Sequence, residues 1–270
     1  MRKLLLILLP LTIAGCASAP GATTSLLNTP DAKPTTPAYK VVGYTLEAMS
    51  SRSCPSSVSK TASLNDDVKG AAGCVHSNNW HLVEEFGNQM AIQFPNDAWG
   101  AYFLSLSAEH NKDWPRARWM AELAVKKAPN EGLTIYQLGR LQWAMSERMT
   151  ALETLKKAGD KNPSLVEAHV LMGQMALMDD SKSAAEKSFL KAYEYDSKNF
   201  AALMGLGEIY RQNKKWAEAE KYLRQAVSAH PKDAEARQQL TQIQSILEAE
   251  QLQKKVSERQ PSNDRKKVSK

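Results

Sequence analysis

The chain has 270 residues, a formal net charge of +6 and three cysteines. Charged residues make up 24% of it, with both signs interspersed through the body, so the modest positive excess gives no sign of a nucleic-acid partner. There is no HExxH, no Ser-His-Asp order with a nucleophile elbow and no phosphate-cradling glycine loop, so enzyme and cofactor chemistry lack residue support.

At the N-terminus, Arg2 and Lys3 precede an apolar run from Leu4 to Ile13. The run is too short to span a bilayer, and residues 1–15 have the layout of a secretory signal. Ile13-Ala14-Gly15-Cys16 resembles the lipobox of bacterial lipoproteins, in which cleavage precedes the cysteine and the cysteine is lipidated. The resemblance implies Cys16 as the lipidation site and the lipid as the membrane anchor. Ala17 and Ser18 stand where such lipoproteins carry a retention aspartate, which implies an outer-membrane protein facing the periplasm. Export argues further against a nucleic-acid partner, and losing Arg2 and Lys3 with the leader lowers the net charge from +6 to +4. Residues 16–40, rich in Ala, Pro, Thr and Ser, read as a flexible tether; about 24 residues of this kind reach roughly 25–30 Å. Within residues 41–97, the stretch VVGYTLEAM reads equally as strand or short helix.

From there a single spacing organises the chain. Prolines fall at Pro95, Pro129, Pro163 and Pro231 in a 34-residue frame that skips only Ser197. Ala117, Ala151, Ala185 and Ala219 keep the frame, as do Ala124, Ala158, Ala192 and Ala226, and Gly139, Gly173 and Gly207. A period of this length predicts stacked helix pairs. Four units follow over residues 98–233: Ala98–Glu131, Gly132–Leu165, Val166–Asn199 and Phe200–Asp233. The last carries Leu203, Leu206, Gly207, Tyr210, Ala219, Leu223, Ala226 and Pro231, and closely resembles the tetratricopeptide repeat. The third and second units match at fewer positions, and the first has Ser105 for the glycine and Ala121 for the phenylalanine. Small residues allow close helix approach, large ones fill the gaps between units, and proline ends each pair. The expected fold is all-α: a superhelical solenoid of antiparallel helix pairs. Residues 234–259, with Ala236, Leu240, Ile243, Ile246 and Leu247 at helical spacing, form its capping helix.

Leu64–Asp97 keeps the frame as a degenerate unit or N-terminal cap, in which Gly70 and Ala71 offer the first helix little to pack. Cys54 and Cys74 fall here. In an oxidising compartment they pair as a disulfide worth about 3 kcal/mol; otherwise Cys74 is a small buried residue where a regular unit has Tyr. Neither cysteine has companion His residues at a familiar metal spacing.

In the tetratricopeptide family the concave groove is lined by the outward face of each first helix. Carried over, that face is Trp99 and Tyr102, with Leu106 and His110, then Tyr136, Arg140 and Trp143. It continues as Gln174, Leu177 and Met178, after Val170, and ends on Met204, Glu208 and Arg211. The resemblance thus implies an apolar, aromatic-rich groove with Arg140 and Arg211 as isolated charges, suited to an apolar or amphipathic protein segment. Trp80, Trp114 and Trp216 share one phase at the turn before the second helix and read as packing. The adjacent acids Asp179-Asp180 and Glu84-Glu85 diverge on a helix and read as solvated faces.

Residues 260–270 read as a disordered basic tail; Lys254–Lys270 carries seven basic residues against Glu258 and Asp264. The whole resembles tetratricopeptide lipoproteins that assist outer-membrane machines. Among these are pilotin-type factors of type IV and tight-adherence pili, which help a secretin reach or assemble in the outer membrane. The alternatives are an adaptor recruiting cell-wall hydrolases, and a structural envelope protein touching peptidoglycan through its basic tail.

Overall fold

The computed structural model describes residues 40–41, 44–45, 53–58 and 63–259. The leader, Cys16, nearly all of the tether and the tail from residue 260 lie outside the described residues. Contacts divide the chain after Thr36, and all that follows belongs to the unit Pro37–Lys270.

Across the start of VVGYTLEAM a minimal ladder forms: β1 (Lys40–Val41), beginning at the last residue of the expected tether, pairs antiparallel with β2 (Tyr44–Thr45), Lys40 opposite Thr45. Every other regular element among the described residues is a helix. In order these are α1 (Leu64–His76), α2 (Trp80–Gln93), α3 (Trp99–His110), α4 (Trp114–Lys127), α5 (Gly132–Ala144) and α6 (Arg148–Lys161). Then come α7 (Val166–Met178), α8 (Lys182–Tyr195), α9 (Phe200–Gln212), α10 (Trp216–Ala229) and the longer α11 (Ala234–Arg259). Each helix packs on the one before and the one after it, and the first helices α3 with α5, and α7 with α9, also touch across units. The result is five antiparallel pairs stacked as a solenoid, with α11 laid on α10.

The frame explains the helix ends. Proline disfavours helical backbone in the residue before it, and Asn162, ahead of Pro163, leaves the helix at φ −133° and ψ 88°. Phe94, Ala128 and His230 do the same. Asp196 adopts this conformation too, φ −141° and ψ 91°, although Ser197 follows it. Within each pair, one residue of the turn lies in the left-handed region: Asn78 (φ 57°), Lys112 (59°), Ser146 (65°), Asp180 (52°) and Lys214 (56°). The N–H of the next residue returns to the carbonyl five residues back, as from Asp113 to Ala108 and from Lys215 to Tyr210, both at 2.9 Å. This is the 6→1 bond that closes a Schellman helix end.

The framed small residues are points of close approach. A Cβ on Gly139 or Gly207 would come within 2.9 Å and 2.8 Å of Leu155 and Leu223 on the partner helix. Phe189 of α8 is held between two glycines, Gly173 of its own pair and Gly205 of the next. Ser105, in place of the first glycine, donates its hydroxyl to the carbonyl of Ala117 at 2.9 Å. The expectation that α1 has little to pack is corrected. Val68, Gly70, Ala71, Ala72, Gly73 and Cys74 are all buried, and the Phe86 ring lies so close to Gly70 that a Cβ would meet it at 2.6 Å. Smallness here lets a large ring in. Cys54 and Cys74 are joined as a disulfide with Cα atoms 4.4 Å apart, and Cys54 and Val58 pack against the same core.

The buried side chains fall into two main clusters that share α7. Ala168 and Met175 belong to the cluster that runs back to α1, whereas Val166 belongs to the one that runs on to α11. The cap contributes Ala236 and Ile243, with Leu240, Ile246 and Leu247 packed alongside. From Glu248 to Glu258 every side chain of α11 is exposed.

Candidate protein-binding site

The first helices α3, α5, α7 and α9 bring the groove residues onto one series of faces, but not as an open apolar trough. Tyr102 is 0% exposed and Tyr136 3%, and both belong to the hydrophobic core; Met204 is 6% exposed. Tyr102 is wedged edge-on between Trp99 at 5.4 Å and Phe103 at 5.3 Å. Trp99 and Trp143 are half-buried, and the guanidinium of Arg148 lies over the Trp143 ring at 5.4 Å. Gln174 and Leu177 are also half-buried, and Met178 is exposed at the end of α7. Trp99, Trp143, Val170, Leu177 and Met178 therefore carry the accessible apolar surface of these faces.

The expectation of isolated arginines is overturned, because each has a carboxylate partner. Arg140 pairs with Glu109 of the preceding unit and donates to Gln137 Oε1 at 2.8 Å. Gln137 in turn donates to Glu109 at 2.9 Å and to the Ser105 hydroxyl at 3.2 Å. Arg211 grips Glu208 with two bonds, at 2.7 Å and 2.6 Å, while Gln212 donates to the same carboxylate at 2.6 Å. The bonds to Glu208 hold the Arg211 guanidinium above its ordinary pKa. Burial pushes the carboxyl of Glu235, at the start of α11, upward, with Asp233 and Glu208 as nearby acids adding to the effect.

Glu109, Gln137 and Glu208 thus turn the face from apolar to amphipathic. Glu208 was visible in the frame, in one column with Arg140 and Gln174 and three residues before Arg211. Glu109 carried no comparable signal, because its partner lies 31 residues away on another helix.

Other singled-out residues have local roles. Trp80, Trp114 and Trp216 each begin a second helix; Trp80 stacks on His110 at 4.4 Å, Trp216 packs on the C-terminal core, and Trp114 is 37% exposed. The adjacent acids face different partners: Asp179 meets Arg148 at 2.5 Å, Glu84 meets Arg116 at 2.7 Å and Glu85 meets His81 at 3.6 Å. Among the described residues no group of three or more His, Cys, Asp or Glu is placed to hold a metal ion, and no helix is long and apolar enough to cross a membrane.

Residues 180–234 match the family model for the tetratricopeptide repeat. No curated protein matches the chain. Among solved structures, pilF of Pseudomonas aeruginosa is similar at a TM-score of 0.63 and 11% identity, over 68% of this chain and 84% of that one. TTC0263, a thermophilic TPR protein of Thermus thermophilus, is similar at 0.54 and 17% identity, over 66% and 97%. A chain of the APC/C hetero-tetramer Cut9–Hcn1 is similar at 0.59 and 12%, over 66% and 36%. The fold is that of a tetratricopeptide-repeat solenoid, an architecture that typically holds protein partners, and residues 180–234 are tetratricopeptide repeat in sequence as well.

Proposed function

We propose that the chain is a lipid-anchored scaffold of the bacterial envelope that holds a protein partner on its first-helix faces and assists assembly of an outer-membrane machine, such as a pilus or secretin system. One juxtaposition carries this reading: Ile13-Ala14-Gly15-Cys16, which resembles a lipobox, stands after the short apolar run of a chain whose body is a repeat solenoid with an amphipathic face. Trp143, Leu177 and Met178 supply the apolar contacts for a partner segment. The Arg140–Glu109–Gln137 and Arg211–Glu208–Gln212 groups sit beside them as hydrogen-bonding frames. Aromatic, Met and Arg residues in such a setting concentrate binding energy.

The test is crosslinking in native membranes, comparing the wild type with a Trp143→Ala/Met178→Ala variant whose melting is unchanged. A secretin or pilus subunit captured by the wild type and lost from the variant is the expected result. In parallel, deletion should reduce secretin multimers and surface pili; unchanged levels of both would sink the assembly role. Capture of cell-wall hydrolases instead would reassign the scaffold to hydrolase recruitment.

A further inference from the structure

The second-helix side of the solenoid carries apolar surface that packing leaves uncovered. Trp119 of α4 is 60% exposed, and on α6 Met149 is 74% and Leu152 41% exposed. The two helices belong to successive units, and the Arg118–Glu147 ion pair ties the middle of α4 to the start of α6. Leu152 follows Met149 by three residues and so shares its face. Seven residues beyond Trp119 stands Lys126, and seven beyond Met149 stands Lys156, both exposed. Two turns of helix return to nearly the same side, so each apolar group has a lysine above it along one stripe. Arg118 is shared between Glu122 and Glu147, and Arg148 is neutralised by Asp179. Besides these, the two helices carry Lys126, Lys127, Lys156, Lys157 and Lys161 against Glu153 and Asp160, a net positive charge.

We propose that the α4–α6 outer face is a peripheral docking surface for an anionic phospholipid bilayer. The chemistry favours lipid over protein. Protein interfaces deplete Lys, whereas a membrane interface takes Trp at the headgroup level, accepts shallow Met and Leu, and draws Lys toward phosphate. Lysines set two turns from the apolar groups reach the headgroups while those groups enter the acyl boundary. The surface lies on the second helices, so docking leaves the first-helix faces clear for a partner. The inference is independent of the lipid on Cys16 and is tested without it.

The experiment is flotation of the chain from residue 16 onward, carrying Cys16→Ser, with vesicles of phosphatidylglycerol and phosphatidylethanolamine, and with phosphatidylcholine alone. Binding is expected to the anionic vesicles only, and to weaken as salt rises from roughly 0.1 M to 0.5 M. A Trp119→Ser/Met149→Ser variant should bind about tenfold less, because it removes the inserted surface. These side chains are exposed, so the variant should melt like the wild type; a Lys126→Glu/Lys156→Glu variant, which changes charge alone, should also lose binding. Absence of binding to anionic vesicles overturns the proposal, as does equal binding by the Trp119/Met149 variant. Binding that vanishes only on deleting residues 254–270 assigns the contact to the tail and overturns it as well. Protection of Trp119 from a water-soluble modifying reagent by an envelope protein, but not by vesicles, makes the face a protein interface instead.

Discussion

Lys112, Ser146 and Lys214 occupy backbone that L-residues enter at a cost of about 1–2 kcal/mol. Glycine pays no such cost, although it loses more chain entropy on folding. Lys112→Gly and Lys214→Gly should therefore each stabilise the solenoid by about 0.5–1 kcal/mol, read as a rise in the denaturation midpoint. None of the five turn residues is glycine and no one residue type recurs in all of them, so the left-handed position kept the 34-residue spacing without a residue-type signal. The framed glycines were legible because their role is steric. Their strictest case lay off the frame, at Gly205, where a Cβ would meet the Phe189 ring at 2.5 Å. Gly205→Ala should cost about 1–3 kcal/mol by overpacking. Phe189→Leu in the same chain should recover part of that loss, and purely additive losses would show that the ring is not the obstacle.

The element ends were legible because proline acts on its neighbour locally, whatever the tertiary setting. Ser197 is the informative exception: Asp196 already holds the pre-proline conformation, and Ser197 donates no backbone hydrogen bond among the described loop contacts. Ser197→Pro should thus stabilise by about 0.4–1 kcal/mol through the unfolded chain. A different signal marks the joint between α6 and α7. His169 is 3% exposed, its Nε2 bonds the Pro163 carbonyl at 2.9 Å, and its ring lies against Gly159. Burial lowers its pKa; Lys191 lowers it further, while the Pro163 bond, Asp160 and Glu194 act the other way. With the folded value below the unfolded one, the unfolded chain binds more protons in the window between them. The stability from neutral His169 is therefore present above about pH 6.5 and is lost as the pH falls below it. His169→Gln should flatten the fall in stability between about pH 7 and pH 5, measured by chemical denaturation at each pH. Glu131 and Glu235, whose carboxyls burial pushes up, act with the opposite sign, losing stability as pH rises past the ordinary carboxylate range.

Across the molecule, the order of helices was readable from a spacing, whereas the character of the binding face was not. Periodicity placed Arg140 and Tyr136 on one side of α5. Whether Tyr136 is covered and which acid reaches Arg140 depend on neighbours far apart in sequence. Stability is also distributed along the stack, since each unit touches only its neighbours. The disulfide closes a 20-residue separation over the first unit and should contribute about 3 kcal/mol there. In a Cys54→Ser/Cys74→Ser variant, amide hydrogen exchange should quicken in α1 and α2 while α9 and α10 keep their protection. Equal loss along the whole chain would mean that the stack unfolds as one unit.

The same bridge decides how the protein bears tension. A pull on the chain upstream of residue 54 does not run through residues 55–73; it crosses from Cys54 to Cys74 through sulfur and enters the solenoid at the far end of α1. The glycine- and alanine-rich α1 is thereby shielded from being peeled away from its N-terminus. Beyond Cys74 the load runs through the last residues of α1, Val75 and His76, and then the tight turn at Ser77–Asn79, ahead of α2. Reduction would instead feed the load into α1 from its N-terminus, so the oxidation state of the pair sets which part of the first unit bears tension.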